Sequence, residues 1–281
     1  MITLRSQAEL AGEYEYLLRD TAGERWDRAE IYRALNLALQ GWAGRVSVPF
    51  RWEPAERWPE ETAAILLPEW MPDRFEVQVL ADAEKGIWMD LLNRRTLRTA
   101  DGSQMELHAL GAMGLAYRIL YYATNGPVPV APPHVLGGLP EEGAALVVDA
   151  ELNISPVGVV LVGSEYVQYA GVEVGGSTTT LYNLRRGAAD SAAASHPSGA
   201  TVYWCVMAPD LGLWRQLADQ VRAHLHELFL ADGAPRDRDQ HERMVSFYQG
   251  RADAFWRGWL PGRSPRLVVE DEPVWMWSEG A

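Results

Sequence analysis

The sequence predicts an α+β fold, in which both ends of the chain form one helical bundle and a β-rich middle is inserted between them. Three observations carry this prediction. Apolar residues recur at helical spacing in the first 45 residues and again after residue 207. Between those segments, β-branched and aromatic residues alternate with polar ones, and prolines and glycines recur. We therefore expect a β-sandwich or a barrel-like insertion in the middle and an extended tail at the C-terminus.

The N-terminal 45 residues predict a helical hairpin. Its first helix is indicated by an apolar stripe formed by Leu10, Tyr14, Leu17 and Leu18. The second helix has a clear start, because Asp27 is a favourable N-cap and Glu30, three residues later, completes a capping box. Trp26 and Ile31 are spaced to pack together as a hydrophobic staple across that start.

Residues 46–154 are predicted to be a β-rich region, and residues 155–207 a smaller inserted β module. The predicted strands are Phe75 to Leu80, Tyr117 to Tyr122, Leu146 to Val148 and Val157 to Val162. The stretch from Asn125 to Pro140 is too rich in proline and glycine for either regular element, and we expect an extended crossing segment there. The turn signals after residue 155 suit a small meander or barrel.

Helical periodicity returns at residue 208. After a predicted N-cap at Asp210, one apolar face consists of Leu213, Trp214, Leu217, Val221, Leu225 and Leu228. A second helix carries Met244, Phe247, Tyr248, Phe255 and Trp259. Residues 208–260 are therefore expected to join residues 1–45 in the helical bundle. Residues 261–281 are predicted to be an extended tail, which either folds back onto its own subunit or docks into a groove of a partner.

Composition disfavours several classes of protein. The chain has 281 residues, 48% of them hydrophobic, which is enough for a substantial core. Its net charge of −13 disfavours binding to nucleic acid without sequence preference, because such binding depends on neutralising phosphates. The single cysteine, Cys205, allows neither an internal disulfide nor a cysteine-rich metal site. Apolar runs are short and the N-terminus is acidic, so we expect a soluble protein made in a cytoplasm.

The sequence lacks the motifs of the common enzyme classes. His224 and His226 stand two apart on a predicted helix and therefore point in different directions, and no zinc-binding spacing occurs. There is no G-x-S-x-G motif and no phosphate-binding glycine loop, and Cys205 lies in an apolar run typical of a buried, unreactive thiol. The 38 acidic residues leave a hydrolase with paired carboxylates open. We expect no enzyme, no metal and no cofactor.

The β module carries the most specific text in the chain. It reads GSEYVQY at 163–169, LYNLRRG at 181–187 and AAASHPSGATV at 192–202. This text resembles a small β module that recurs in neck and tail proteins of tailed bacteriophages, with the pattern G-x-E-x-[IV]-x-Y, L-x-x-L-x-R-G and A-A-x-H-x-x-G-A-x-V. The match covers 40 residues. It implies a protein of the virion without saying which part of the virion.

The text from Leu18 to Ala38, LRDTAGERWDRAEIYRALNLA, is similar to the start of the phage head-to-tail adaptor family. That start runs L-[RN]-D-x-x-G-x-R-W-[SD]-x-x-E-[IL]-x-x-x-L-N-x-A. The family also has a helical bundle formed by both chain ends, a β excursion and a C-terminal tail, although this chain has a much longer β middle than the short adaptors. The resemblance implies a structural protein of the virion neck. About twelve copies would form a ring below the portal.

The resemblance also implies partners. The ring would join the portal protein to a stopper or tail protein, with no membrane partner, and would leave a channel through which DNA passes without specific binding. The negative charge is concentrated in residues 46–207, which carry −9 of the net charge. A channel wall of that sign repels the phosphate backbone, whereas the simpler interpretation is a solvated surface that keeps the protein in solution.

Three sets of residues are candidate sites. The resemblance implies that Val274, Trp275, Met276 and Trp277 anchor the tail in a crevice of the portal, with tryptophan as the main anchor. Glu165, Arg186 and His196 are predicted to hold turns of the β module by hydrogen bonds, and ligand binding is the alternative role for them. Trp26, Asp27, Glu30 and Ile31 form the predicted helix cap and staple.

A different function also fits the β module. A tail or baseplate protein that binds host-surface glycan would use aromatic side chains, and the module offers Tyr166, Tyr169, Tyr182, Tyr203 and Trp204. The helical ends discriminate between the two hypotheses, because they have a role in a ring below a portal and no evident role in a receptor-binding tip.

Overall fold

A computed structural model describes residues 3–18, 26–43, 45–54, 56–69, 71, 75–99, 104–209, 211–231 and 238–259. The protein is α+β, with four helices and several antiparallel sheets in the described residues. The chain divides into two compact units. Unit 1 comprises residues 1–48 and 124–281, and unit 2 comprises residues 49–123.

The regular elements are numbered here in chain order. The helices are α1 (Gln7–Leu17), α2 (Arg28–Trp42), α3 (Leu211–Ala231) and α4 (Arg238–Gly258). The strands are β1 (Thr3–Ser6), β2 (Val48–Trp52), β3 (Ala64–Leu66), β4 (Phe75–Asp82), β5 (Ile87–Asp90), β6 (Arg95–Arg98), β7 (Met105–His108), β8 (Tyr117–Ala123), β9 (Leu146–Val148), β10 (Val157–Val162), β11 (Glu165–Ala170), β12 (Val172–Gly175), β13 (Thr178–Leu181), β14 (Arg185–Ala188) and β15 (Val202–Ala208).

Each of the four predicted strands is present in the structure. β9 and β10 have the predicted bounds, and the other two predicted strands lie within β4 and β8, each of which extends further. The predicted first helix corresponds to α1, where Leu10 and Tyr14 are buried while Leu17, in the last turn, is 39% exposed. The N-cap predicted at Asp210 and the whole of the predicted tail lie outside the described residues.

The main sheet of unit 1 has the strand order β1-β15-β10-β11-β14. β1 pairs antiparallel with β15, and Thr3 lies opposite Ala208. β10 and β11 form a hairpin with an unbroken antiparallel register from Val157–Ala170 to Val162–Glu165. A second sheet has the order β12-β13-β9. The sequence analysis did not predict β1, because a four-residue strand directly before a helix has too few residues for alternation to be visible.

One hydrophobic core serves the helices and the β strands of unit 1. It contains Ile31 and Leu35 from α2, Val160 from β10 and Leu217 from α3, all of them completely buried. α2 packs on α3 and α3 packs on α4. Across the α2–α3 contact, the Trp42 indole donates a hydrogen bond of 2.6 Å to the Gln216 side chain.

The division of the chain differs from the predicted one. Residues 46–154 are not one β region, because residues 49–123 form unit 2 while residues 124–154 belong to unit 1. Residues 155–207 are not a separate module either, since β15 pairs with β1 and the module's apolar side chains lie in the same core as the helices. A sequence pattern indicates where the strands are, but only the strand pairing shows which segments pack into the same hydrophobic core.

Unit 2 is β-rich. Its sheets have the orders β2-β8-β4-β5 and β3-β7-β6, and a short 3₁₀ turn lies at Leu110–Ala112. Buried aromatic side chains pack together in this unit. The rings of Phe50 and Tyr121 stack with their centroids 5.5 Å apart, and Trp58 meets Tyr117 edge-on with a centroid distance of 5.2 Å. Offset and edge-on ring pairs of this kind add to the stabilisation from area burial alone.

Candidate functional site

The three predicted turn residues lie together in unit 1. Glu165 begins β11, Arg186 lies in β14, and His196 lies in the loop before β15. The Glu165 side chain is fully buried, and those of Arg186 and His196 are each 9% exposed. We refer to Glu165, Arg186 and His196 as the turn cluster.

Glu165 is the acceptor at the centre of the turn cluster. The Arg186 guanidinium donates from Nε to Oε1 at 2.7 Å and from Nη2 to Oε2 at 2.8 Å, which is a bidentate ion pair. The backbone N–H groups of Gly187 and Ala194 donate to the same carboxylate at 3.0 and 3.1 Å. Nε2 of His196 lies 2.7 Å from Oε2, and the histidine is the donor because an ionised carboxylate only accepts.

The turn cluster ties distant loops to the main sheet. Arg186 also donates from Nη2 to the carbonyl of Ala194 at 2.6 Å and from Nη1 to the carbonyl of Pro140. The backbones of His196 and Leu139 exchange two hydrogen bonds, both of 2.8 Å. The end of the crossing segment, at residues 139–140, is thereby fixed to β14 and to the loop at 194–196.

The pKa of Glu165 reflects these contacts. Burial by itself raises the pKa, but the hydrogen bonds from Arg186, Gly187, His196 and Ala194 outweigh burial and lower it to about 2. A carboxylate with such a pKa is a weak base at neutral pH and does not release or take up a proton there. The arrangement is therefore suited to holding turns and not to proton transfer.

Two glycines of the phage-module pattern have positions that other residues would strain. Gly163, in the turn before β11, has φ +61°, and Gly187 has φ +60°. An added Cβ at Gly187 would lie 2.8 Å from the carbonyl oxygen of Ser191, which is too close for any Cβ. The pattern therefore has a physical basis at these glycines and at Glu165, His196 and Arg186.

The predicted helix cap is present at the start of α2. The Asp27 carboxylate accepts from the Glu30 backbone at 2.7 Å, and the Glu30 carboxylate accepts from the Asp27 backbone at 2.8 Å. Trp26 and Ile31, the predicted staple, are both buried in the core of unit 1. Trp26 also meets the ring of Phe229 on α3 edge-on at 5.9 Å. These four predicted residues fix the start of α2 against α3.

The predicted portal-docking residues Val274, Trp275, Met276 and Trp277 lie outside the described residues.

A histidine pair joins α3 to α4, and the sequence analysis missed it. Nδ1 of His226 lies 2.8 Å from Nδ1 of His241, so one nitrogen donates and the other accepts. His224, two residues before His226 on the same helix, points elsewhere, and its Nδ1 lies 2.8 Å from the Glu227 carboxylate. The contact forms across two helices, and spacing within one helix carries no signal for it.

The described parts of the chain hold no group of three or more His, Cys, Asp or Glu side chains arranged to bind a metal ion. Cys205 is buried, and burial raises the pKa of its thiol, which disfavours the reactive thiolate. Among the helices described, none combines the length and the apolar character needed to cross a membrane.

The aromatic side chains proposed for glycan binding are not all available. Tyr169 and Trp204 are buried, and the Trp204 indole donates a hydrogen bond of 3.1 Å to the Tyr169 hydroxyl. Of the set, Tyr182 is exposed, and its hydroxyl donates to Glu173 at 2.5 Å. A sugar-binding platform needs open ring faces, and two of the five rings have none.

Exposed charge in residues 124–207 has one sign. All of these residues are described, and their exposed charged side chains are carboxylates only, at Glu141, Glu142, Asp149, Glu151, Glu173 and Asp190. The two arginines of this stretch, Arg185 and Arg186, are not exposed.

Comparison with known proteins gives no relative: no protein-family model, no curated protein and no solved structure matches this chain.

Proposed function

We propose that this chain is a head-to-tail adaptor of a tailed bacteriophage, a structural protein of the virion neck. About twelve copies form a ring below the portal, join it to a stopper or tail protein and leave a channel for DNA. The mechanism is mechanical, with neither catalysis nor a cofactor. Each subunit meets its neighbours through two different surfaces, as in any closed heterologous ring.

The observation that carries the proposal is the adaptor-like text from Leu18 to Ala38. Its residues 27–38 form the capped start and most of α2, which packs on α3 from the other end of the chain. In the proposal, α1 and α2 form one bundle with α3 and α4, as in the family that the text resembles. The buried pair of Trp42 and Gln216 would tie the two chain ends together in that bundle.

The carboxylate surface of residues 124–207 supports a role next to DNA. A ring multiplies the charge of one subunit by the number of copies, so the six exposed carboxylates become a strongly negative surface. DNA adheres to proteins in proportion to the phosphates that they neutralise. A surface of this kind facing the channel lets the genome pass without sticking.

Quantitative mass spectrometry of purified virions tests the proposal. The measurement compares the copy number of this chain with that of the portal protein in the same particles. We expect a ratio near one, because adaptor and portal share the rotational order of the neck. A ratio near one half or one quarter would instead place the chain in the baseplate or tail tip and favour glycan binding. Absence from virions would overturn both interpretations.

A further inference from the structure

The end of α4 presents a group of aromatic side chains that is only partly covered. Phe255, Trp256 and Trp259 each pack against the core of unit 1 and remain half-buried. Phe255 stacks on Trp259 at 5.4 Å and meets Trp256 edge-on at 5.4 Å. We refer to Phe255, Trp256 and Trp259 as the aromatic patch.

Positive charge lies beside the aromatic patch. The exposed Arg45 places its guanidinium 5.0 Å from the centre of the Trp256 ring, in cation–π geometry. The surface therefore offers apolar rings together with the Arg45 guanidinium, which suits a ligand that is both aromatic and acidic.

The chain itself contains a segment of that chemistry. After Trp259, the sequence continues for 22 residues, in which the acidic run Glu270-Asp271-Glu272 is followed by Pro273 and then VWMW at 274–277. The acidic run is 11 residues beyond Trp259, and 11 extended residues reach about 36 Å, which is long enough for the segment to fold back onto the end of α4. A tethered segment this short acts at an effective concentration in the millimolar range, so weak contacts are enough to hold it.

We propose that, in the free subunit, the aromatic patch binds the chain's own segment 270–277. The rings of Trp275 and Trp277 cover the patch, and the acidic run lies against Arg45. Without such a binding site, a segment with two tryptophans, a valine and a methionine would be a site for self-association. The bound segment keeps the subunit monomeric until a partner takes the segment over.

The test uses the full-length chain and a fluorescein-labelled peptide of residues 265–281. The double variant Trp275→Ala/Trp277→Ala has a tail that no longer fills the patch. We expect this variant to bind the peptide saturably in fluorescence anisotropy, and the unchanged chain to bind it at least tenfold more weakly because its own segment is in place. Adding Trp259→Ala to the double variant should weaken peptide binding several-fold. The matched control adds Trp88→Ala to the double variant instead. It alters a half-buried tryptophan in unit 2 and should leave the double variant's affinity for the peptide unchanged.

Three results would overturn the proposal. Peptide binding to neither chain would mean that the patch does not recognise this segment. Equal binding to both chains would mean that the patch is vacant in the unchanged protein. Concentration-dependent dimerisation in sedimentation, abolished by the double variant, would make a second copy the source of the segment. None of these measurements involves a portal, so the adaptor function and this proposal fail separately.

Discussion

Glu165 shows how a single buried charge determines the local structure. A carboxylate without solvent contact is unfavourable unless several donors surround it, and here a bidentate arginine, a histidine and two backbone N–H groups do so. The sequence analysis predicted the three side chains from the motif. It did not predict the backbone donors or the link to Pro140, because these depend on how loops that are far apart in sequence meet.

The depressed pKa of Glu165 predicts a stability profile at low pH. Since the folded-state value, about 2, is below the ordinary value of 4.5, the stabilisation from Glu165 is complete above about pH 5 and is lost as the pH falls towards 2. The linkage relation makes this contribution on the order of 3 kcal/mol. Urea unfolding followed by circular dichroism, at intervals from pH 7 to pH 2, measures the loss directly.

Substitution separates Glu165 from the other carboxylates. Glu165→Gln should lower stability already at pH 7, because it leaves the Arg186 charge without its partner, and should flatten the profile between pH 4.5 and 2. Glu142→Gln, at an exposed position of the same unit, should keep the profile of the unchanged protein. An unaltered slope in Glu165→Gln would show that other groups carry the acid sensitivity.

Helix starts are the elements that the sequence predicted best. The capping box of α2 needs only residues 27 and 30, so local text is sufficient to specify it. α1 begins with a second box, in which Ser6 and Glu9 cap each other, and this one was missed because β1 ends at the same residue. The histidine pair between α3 and α4 was out of reach, since it depends on how the two helices pack.

The capping box of α2 contributes measurably to the stability of the fold. Asp27→Ala removes the acceptor for the Glu30 N–H and should lower the free energy of unfolding by about 1 kcal/mol. Asp27→Ser should retain most of it, because serine is a comparable N-cap. The comparison is made by urea denaturation at neutral pH, with Asp253→Ala, at an exposed position within α4, as the control. If Asp27→Ala leaves the free energy of unfolding unchanged, packing of Trp26 alone fixes the helix start.

The tail prediction concerns the segment after α4. A chain that ends at Glu270 lacks Val274 to Trp277 and is expected to fold, with unchanged far-ultraviolet circular dichroism, but not to attach to portal rings. Co-sedimentation of the purified chain with portal measures attachment, and Trp88→Ala in the full-length chain serves as the control. Full attachment of the shortened chain would place the portal contact elsewhere in the molecule.

At the scale of the whole molecule, the positions of the exposed charges say more about interaction with DNA than the net charge does. The sequence established the net charge of −13 and its concentration in the middle. It did not establish that residues 124–207 expose carboxylates only, because that depends on Arg185 and Arg186 both being partly buried, with Arg186 turned inward to Glu165. The ion pair with Glu165 thus removes a positive charge from a stretch whose exposed charged side chains are all carboxylates.

The exposed carboxylates of residues 124–207 predict that the chain binds DNA weakly even at low salt, where electrostatic binding is strongest. In an electrophoretic mobility assay at 50 mM salt, we expect micromolar concentrations of the chain to leave a double-stranded DNA probe unshifted, since there are few phosphates that it can neutralise. The variant Glu141→Lys/Glu142→Lys/Glu151→Lys reverses three of the exposed charges and should begin to retard the probe. Retardation by the unchanged chain would contradict the proposed channel surface.

The pairing of β1 with β15 has a consequence for how the protein is made. Thr3 leaves the ribosome before its partner Ala208, which follows only after some 200 further residues have been added. Unit 2, residues 49–123, is synthesised in full during that interval, and the strands that the structure describes there, β2 to β8, pair with one another. Contacts between such distant positions form late and slow folding down. The nascent chain therefore has to keep β1 unpaired while the residues up to β15 are synthesised, and unit 1 closes after unit 2.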